Sequence, residues 1–285
     1  MSDVPPAELA PFPSLGELET EEGRKGCCAA VYEHPAVQWL LGEQLHPGGE
    51  AGTLRGLELG GVRAGDRLLD VASGRGSSAL LAARELGCDV VGLEYGAAAV
   101  AAANAAAEAA RLDDRVRFEQ GDAESLPFSG QSFDAVLCEC SLCTFPDKRR
   151  AVEEMRRVLR PGGRLVLSDV LVDRAGLPDE LQGPLAVLAC VGEALPRQGY
   201  ERLLTQAGLA MLAVEERRRD AARLAGRVHD RLRGARVLGF DTIAGAPLAT
   251  EEAIELLTSA REAIDRGTLG YAIFVAERPI PGPGI

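Results

Sequence analysis

The chain has 285 residues and a mass of 30.0 kDa, and 46% of its residues are hydrophobic, so it is long enough to bury an ordinary globular core. A formal net charge of -12 and a pI near 4.9 oppose general attraction to nucleic acid or anionic membranes, so a small substrate is favoured. No apolar run approaches the ~18 residues that span a bilayer, and the acidic, proline-containing start lacks the order of a signal peptide. We therefore expect a cytoplasmic protein without a membrane segment.

The first 53 residues predict an irregular arm followed by short helices. Four prolines interrupt residues 1–26, which show no sustained period. Helical patterns follow around the only tryptophan, Trp39, and again at 54–59. Such helices either cover the edge of a sheet or cap a ligand site, and the sequence leaves both interpretations open.

A glycine-rich turn at 70–77 joins a short apolar run to an alanine- and leucine-rich helical pattern that begins near Ser78. Gly74 and Gly76 would let the backbone approach a ligand closely, and the helix would direct its unpaired amides to the same place. The spacing matches the dinucleotide fingerprint only loosely, because Ala79 stands at its last position. The turn therefore predicts a ligand site without identifying the ligand.

Further strand-like runs follow in an order that identifies the fold class. The run at 90–93 ends at Glu94, where a ribose-binding carboxylate belongs in a site for NAD or for S-adenosylmethionine (SAM). An alanine-rich helix is predicted at 97–111. The remaining segments are a strand at 116–119 before Gly121 and Asp122, a strand at 133–137, a helix at 149–159, and a strand at 165–169 introduced by the R-P-G-G-R turn at 160–164.

This succession, over roughly residues 54–172, resembles the class I SAM-dependent methyltransferases. The resemblance implies a Rossmann-like α/β fold: a mostly parallel seven-stranded sheet with helices on both faces, an N-terminal helical cap and a helical insertion before the last strand. It also implies SAM as cofactor and S-adenosyl-L-homocysteine (SAH) as product. Glu94 would bind the ribose hydroxyls, Asp122 and Ala123 would lie near the adenine, and Cys138 or Glu139 beside the methionine part. The implied cofactor-binding residues are Asp70, Ala72, Ser73, Gly74, Gly76, Glu94, Asp122, Ala123, Cys138 and Glu139.

The C-terminal part predicts helices at 170–192 and 198–208, a strand at 211–215, and a last strand at 269–276. The second helix of the insertion between these two strands begins at Thr250 and stops at Gly267. The expected divisions are an arm and cap (1–53), a SAM-binding core (54–216), the insertion (217–267), and the last strand with a tail (268–285).

Eight arginines lie between positions 217 and 236, at the start of the insertion. Such a stripe could bind RNA or an acidic partner, or it could be a solvated helix face that offsets the acidic remainder. No aromatic residues are interleaved to stack on bases, which favours the solvated face and argues against nucleic acid.

Three of the seven cysteines, Cys138, Cys140 and Cys143, follow directly on the fourth strand, at the sheet edge where open α/β folds bind ligands. If that strand persists to Cys140, Cys138 and Cys140 share one face and Glu139 points the opposite way. The C-x-x-C spacing suggests zinc, but a structural zinc site wants four ligands and the chain lacks a second C-x-x-C.

The segment C-S-L-C-T-F-P-D-K at 140–148, before R-V-L-R-P-G-G-R at 157–164, resembles the arsenite methyltransferases, which carry N-C-V-x-N-L-x-P-D-K before R-V-L-K-P-G-G-R. Cys140 falls on that family's arsenic-binding cysteine, and Cys190, in C-V-G-E-A-L, resembles its C-x-x-G-A-L segment. The resemblance implies a third thiolate from the N-terminal region, for which Cys28 is preferred over Cys27. The chain departs from the family at Glu139 and Cys143, where the family has asparagine.

Methyl transfer to trivalent arsenic suits such residues, because thiolates are the soft side chains that hold soft ions. The arsenic lone pair carries no proton, so no general base is needed, and alignment can supply ~7–11 kcal/mol in the best cases. The resemblance thus implies Cys28, Cys140 and Cys190 as catalytic arsenic(III) ligands, with a thiol donor such as glutathione or thioredoxin as partner.

Two other functions are consistent with the sequence. One is methylation of a carbon, oxygen or nitrogen atom of a small organic acceptor, for which Tyr32, His34, His46 or Glu139 could serve as a base. The other is a metalloid- or zinc-binding protein whose SAM site is vestigial.

Overall fold

Seven strands form one sheet in the computed structural model, which describes residues 20–42, 45–182, 190–242 and 249–282. The strands are β1 (Arg67–Val71), β2 (Asp89–Glu94), β3 (Val116–Gln120), β4 (Phe133–Glu139), β5 (Leu159–Val172), β6 (Ala210–Glu216) and β7 (Leu269–Glu277). Their order across the sheet is β3-β2-β1-β4-β5-β7-β6. Strands β1 to β5 are parallel, and β7 runs antiparallel to both of its neighbours, β5 and β6.

Helices connect the strands and cover both faces of the sheet. They are α1 (Glu21–Glu33), α2 (Pro35–Leu41), α3 (Gly49–Leu59), α4 (Ser77–Leu86), α5 (Ala97–Ala110), α6 (Lys148–Val158), α7 (Arg197–Gln206), α8 (Arg218–Val237) and α9 (Thr250–Arg266). None of the described helices is both long enough and apolar enough to cross a bilayer.

Alternation along the central strands divides their side chains between two cores. Leu69 and Val136 pack with α6 on one face, while the adjacent Leu68 and Leu137 pack with α4 and α5 on the other. Strands buried on both faces require nearly continuous apolar runs, which is why β1, β2 and β4 are so hydrophobic. The expected mostly parallel seven-stranded fold is confirmed.

The N-terminal helices and the insertion between β6 and β7 pack against each other. Ala36 and Trp39 of α2 form an apolar cluster with Val228 and Leu232 of α8. The Arg231 guanidinium in α8 donates to the backbone carbonyls at the end of α2. The cap and the insertion therefore form one layer beside the sheet.

The structure corrects two of the predicted elements. The helix expected over 170–192 is wrong where the chain is described: β5 continues to Val172 because residues 164–172 pair with all of β7, and short 3-10 turns follow at Arg174–Gly176 and Asp179–Leu181. Residues 183–189 lie outside the described parts. The irregular arm expected over 1–26 ends earlier, because α1 already begins at Glu21; residues 1–19 are likewise outside the described parts.

Candidate active site

The turn between β1 and α4 is shaped by backbone conformations that favour glycine. Gly74 and Gly76 have φ angles of 54° and 84°, and Ala72 is also left-handed at 58°. A Cβ at Gly76 would overlap the Phe118 ring, so only glycine lets the turn lie this close to β3. No side chain caps the start of α4, which leaves its first amides directed toward the turn.

Glu94, at the end of β2, holds two neighbouring turns together. Its Oε2 accepts a hydrogen bond from the Gly74 amide (2.9 Å), and its Oε1 accepts one from the Gly96 amide (2.8 Å). The carboxylate is thereby fixed beside the glycine turn.

A cavity of about 600 Å³ lies between the carboxyl ends of the strands and α1. Eight of the ten predicted cofactor residues line it: Asp70, Ala72, Ser73, Gly74, Glu94, Asp122, Ala123 and Glu139. Gly76 and Cys138 do not. Gly76 instead packs against Phe118, and the Cys138 side chain is fully buried in the core beside Leu69.

Two buried polar atoms on the cavity wall have no hydrogen-bond partner among the residues that the structure describes: Asp70 Oδ2 and Ser73 Oγ. Burial raises the pKa of Asp70 well above its usual value, and the nearby Glu139 and Glu94 raise it further. A ligand that carries positive charge and polar hydrogens would satisfy these atoms, because unpaired buried polar groups are costly.

Glu139 ends β4 inside a network of hydroxyl groups. Thr53 Oγ1 and Ser78 Oγ donate to its Oε2 at 2.9 Å and 2.6 Å, and His46 Nε2 lies 3.5 Å from the same oxygen. The network connects α3, α4 and β4 at the cavity floor. It fixes the position of the carboxylate that the sequence placed beside the methionine part.

Cys140, which lines the cavity, contacts the buried Cys190, although 50 positions separate them in the chain. Strand β4 ends at Glu139, so the condition for Cys138 and Cys140 to share a strand face is not met; Cys140 instead turns to a left-handed φ of 50° and lines the cavity. Cys190 is also left-handed, at 61°, and its Sγ lies 3.5 Å from the Cys140 carbonyl oxygen. Left-handed backbone at a residue other than glycine costs about 1–3 kcal/mol and is concentrated at functional sites.

Cys190 lies at the centre of a group of polar hydrogens. The Tyr32 hydroxyl oxygen is 2.8 Å from its Sγ, and the Cys140 and Cys143 thiols both contact it. Hydrogen bonds from Cys140 and Cys143 hold the pKa of the Cys190 thiol well below its usual value despite burial. Contact with Cys190 in turn raises the pKa of Cys140, and burial raises that of Cys143.

Asp169, on β5, lies behind the thiols. Burial and the nearby Cys190 raise its pKa to about 7. Its carboxylate accepts hydrogen bonds from the backbone amides of Cys143 and Val170, both at 2.8 Å, and so anchors the turn after Cys140.

The remaining predicted ligand, Cys28, lies in α1, but its side chain and that of Cys27 are outside the described side chains. Among the side chains that are described, no group of three or more His, Cys, Asp or Glu has an arrangement that could hold a metal ion. The thiols of Cys140 and Cys143 approach Cys190 itself rather than a common point. Cys88 is buried far from this group, and burial raises its pKa to about 11.

Comparison with known proteins agrees with this geometry. A family described as a methyltransferase domain matches residues 69–167. The 27-O-demethylrifamycin SV methyltransferase of Amycolatopsis mediterranei (strain S699) is 33% identical over 254 residues, covering 84% of this chain and 92% of that protein. The chain belongs to the SAM-dependent methyltransferases.

Two other matches bear on the cofactor and the acceptor of this methyltransferase. Haemonchus contortus phosphoethanolamine N-methyltransferase 2, solved with S-adenosyl-L-methionine, superposes with a TM-score of 0.72 at 21% identity, covering 88% of this chain and 57% of that one. An arsenite methyltransferase of Halobacterium salinarum (strain ATCC 700922 / JCM 11081 / NRC-1) is 33% identical over 154 residues, covering 53% of this chain and 39% of that protein. Membership of the SAM-dependent methyltransferases makes SAM the cofactor, and the acceptor is a separate question.

The cavity wall fits SAM. The cofactor supplies a methyl group on a positively charged sulfur, which a nucleophile can take directly. Glu94 offers a carboxylate to hydroxyl groups, while Asp70 and Glu139 offer carboxyl oxygens to a cation. The backbone of the glycine turn excludes side chains from the space that the cofactor needs.

Lys25 had no predicted role in the site, and Tyr32 was only one of several candidate bases. Both line the cavity from α1, together with Ala29 and Glu33. The spacing 25, 29, 32, 33 is that of one helix face. Because four prolines precede these positions, the sequence predicted an irregular arm up to residue 26 instead of the start of a helix.

Proposed function

We propose that the methyltransferase transfers a methyl group to trivalent arsenic held by the thiolates of Cys140 and Cys190. The observation that supports this most directly is the contact of the Cys190 thiol with that of Cys140, which lines the cofactor cavity; both cysteines lie in segments that resemble arsenic-binding segments. Trivalent arsenic is thiophilic, and a buried pair of soft ligands distinguishes it from harder acceptors.

The cysteines would act mainly by holding the arsenic in position for methyl transfer. Cys190, whose thiol pKa is lowered by hydrogen bonds from its neighbours, supplies one sulfur, and Cys140 supplies the second sulfur at the cavity wall. Bound SAM would supply an electrophilic methyl group to the arsenic lone pair, and its sulfur would keep the electrons of the broken carbon–sulfur bond. The arsenic is thereby oxidised, and two thiols of a donor such as glutathione or thioredoxin would return it to the trivalent state as they form a disulfide.

Cys28 is kept as the proposed third thiolate. It lies in α1 one helical turn before Tyr32, the residue that contacts Cys190. A third ligand from α1 would complete the arsenic site only when that helix lies over the cavity.

The test is to incubate reduced protein with methyl-labelled SAM, arsenite and glutathione, and to separate methylated arsenic by chromatography. We expect Cys140→Ser and Cys190→Ser to lower the rate at least about 100-fold, since a hydroxyl is a poor ligand for a soft centre and misplaced reactants lose about that much. Cys88→Ser, a buried cysteine outside the site, is the matched control and should keep the wild-type rate. Absence of methylated arsenic, while calorimetry shows SAM binding, would refute the proposal.

A small organic acceptor is the second candidate, and the relative that matches this chain over 84% of its length favours it. His46 and Glu139 line the cavity 3.5 Å apart and could accept a proton from a hydroxyl acceptor. Methyl transfer to an organic compound that survives both Cys140→Ser and Cys190→Ser would select this candidate over arsenic.

A further inference from the structure

Helix α1 presents one face to the cavity, and polar side chains on that face reach three different parts of the site. Lys25, Ala29, Tyr32 and Glu33 line the cavity at helical spacing. The first contact is at the end of β3, the second at the start of α5, and the third at Cys190.

The contact at β3 is ionic. Lys25 Nζ lies 2.7 Å from Asp122 Oδ2 and 2.5 Å from Glu124 Oε2. The side chains of Lys25 and Glu124 are only 16% and 12% exposed, so solvent screens this pair less than an ordinary surface pair. Lys25 therefore fixes α1 to the loop that carries the predicted adenine-binding residues.

The contact at α5 is a helix cap. Glu33 Oε1 accepts a hydrogen bond from the Ala99 amide at 3.0 Å, in the first turn of α5. It lies so close to Gly96 that a Cβ there would collide with it. A carboxylate at a helix N-terminus is favoured by the unpaired amides and by the helix dipole.

The contact at Cys190 is the Tyr32 hydroxyl, 2.8 Å from the sulfur. One rigid helix thus joins the cofactor end of the cavity, through Lys25 and Glu33, to the acceptor end, through Tyr32. Because a helix moves as a unit, the contact at Cys190 cannot form in this way while the contact at β3 is open.

Few of the α1 side chains that the structure describes are buried, although Tyr32 packs against the apolar cluster around Cys190. Val31 is the only buried residue among the α1 side chains that the structure describes. Segments with few buried apolar contacts open at low free energy, so the polar contacts decide how often α1 lies closed.

We propose that α1 is a lid, and that Lys25, by closing it onto Asp122 and Glu124, couples cofactor binding to assembly of the acceptor site at Cys190. Lys25 is a positioning residue here, acting on the acceptor site through α1. The proposal goes beyond the proposed function, since it holds for any acceptor at Cys190 and its test needs no methyl transfer.

The test compares wild type with Lys25→Met, which removes the charge and keeps the side-chain stem. Arg84→Met, at an exposed ion pair on α4, is the matched control for loss of one positive charge. The first measurement is the release rate of labelled SAH from preloaded protein after addition of excess unlabelled SAH. We expect release about tenfold faster in Lys25→Met and unchanged in Arg84→Met, with Lys25→Arg close to wild type.

The second measurement is the alkylation rate of Cys190 by iodoacetamide, with and without saturating SAH, resolved by mass spectrometry of the peptide that contains it. We expect SAH to slow alkylation about tenfold in wild type and less than about twofold in Lys25→Met. If Lys25 only binds the adenine end, release will be faster but protection of Cys190 will persist, and the proposal is wrong. Equal release rates in wild type and Lys25→Met would also overturn it.

Discussion

Gly74 and Gly76 share a left-handed backbone conformation but have different surroundings. A Cβ at Gly76 would overlap the Phe118 ring, whereas no atom lies within 4 Å of the Cβ position at Gly74. Gly74 borders the cavity instead. We infer that Gly76 allows the turn to pack on β3, and that Gly74 leaves room for the cofactor.

We predict that Gly76→Ala and Gly74→Ala separate folding from binding. Both should lose about 1–2 kcal/mol from the left-handed conformation, and Gly76→Ala should lose about 1–3 kcal/mol more from overpacking against Phe118. Gly74→Ala should weaken SAM binding and lose only the smaller amount of stability. Urea unfolding and calorimetric titration with SAM measure the two effects, and equal unfolding free energies for the two variants would contradict this prediction.

At the scale of single residues, the sequence predicted which residues lie at the ends of the strands better than it predicted where their side chains point. The acidic residues at the ends of β2 and β4 and after β3 all reach the cavity, because a parallel sheet brings these ends to one edge. Cys138 does not, because it lies one residue before the end of β4 and packs into the core with Leu69. The Tyr32–Cys190 contact joins segments 158 positions apart, a separation at which no local pattern reports on proximity.

At the scale of elements, Arg231 has a different role from most of the arginine-rich helix α8. Its Nη1 donates to the carbonyls of Trp39 and Leu40, at 2.7 Å and 2.8 Å, where α2 leaves its last carbonyls unpaired. Arg217, Arg223 and Arg236 instead pair with acidic side chains in or near α8. The arginine-rich helix thus also makes a partly buried contact with α2, which periodicity alone did not predict.

We predict that Arg231→Ala releases α2 from α8. Two hydrogen bonds from a charged donor at a partly exposed site suggest a loss of about 1–3 kcal/mol in unfolding free energy. Trp39, the only tryptophan and a buried one, should shift its fluorescence to longer wavelength as it becomes more exposed. Arg233→Ala, at an exposed position of the same helix, serves as control; matching spectra for the two variants would argue against the contact.

At the scale of the whole molecule, negative charge is concentrated around the cofactor. Six acidic side chains line the cavity, those of Glu33, Asp70, Glu94, Asp122, Glu124 and Glu139, and the net charge of the chain is -12. Lys25 is paired with two of these carboxylates. SAM carries one more positive charge than SAH, so this field favours the methyl donor over the product.

We predict that salt weakens the binding of SAM more than that of SAH. Screening shortens the range of the field from about 10 Å at 0.1 M salt to about 3 Å at 1 M, so the Kd for SAM should rise about 3- to 10-fold and that for SAH less than about twofold. Calorimetric titrations in low and high sodium chloride measure both values. Equal changes in the two Kd values would mean that the cavity does not distinguish SAM from SAH by charge.

The position of β1 beside the central strand β4 has a consequence for how such proteins can diversify. The turns after β1, β2 and β3 supply most of the cofactor wall, while the thiols and the α8–α9 insertion belong to the other half of the sheet. The insertion begins after β6 and ends before β7, and these two strands pair with each other. A different insertion grafted there would therefore be attached at both ends to neighbouring strands. Transplanting that block together with Cys140 and Cys190 should carry acceptor preference to another scaffold while the host keeps its own cofactor turns.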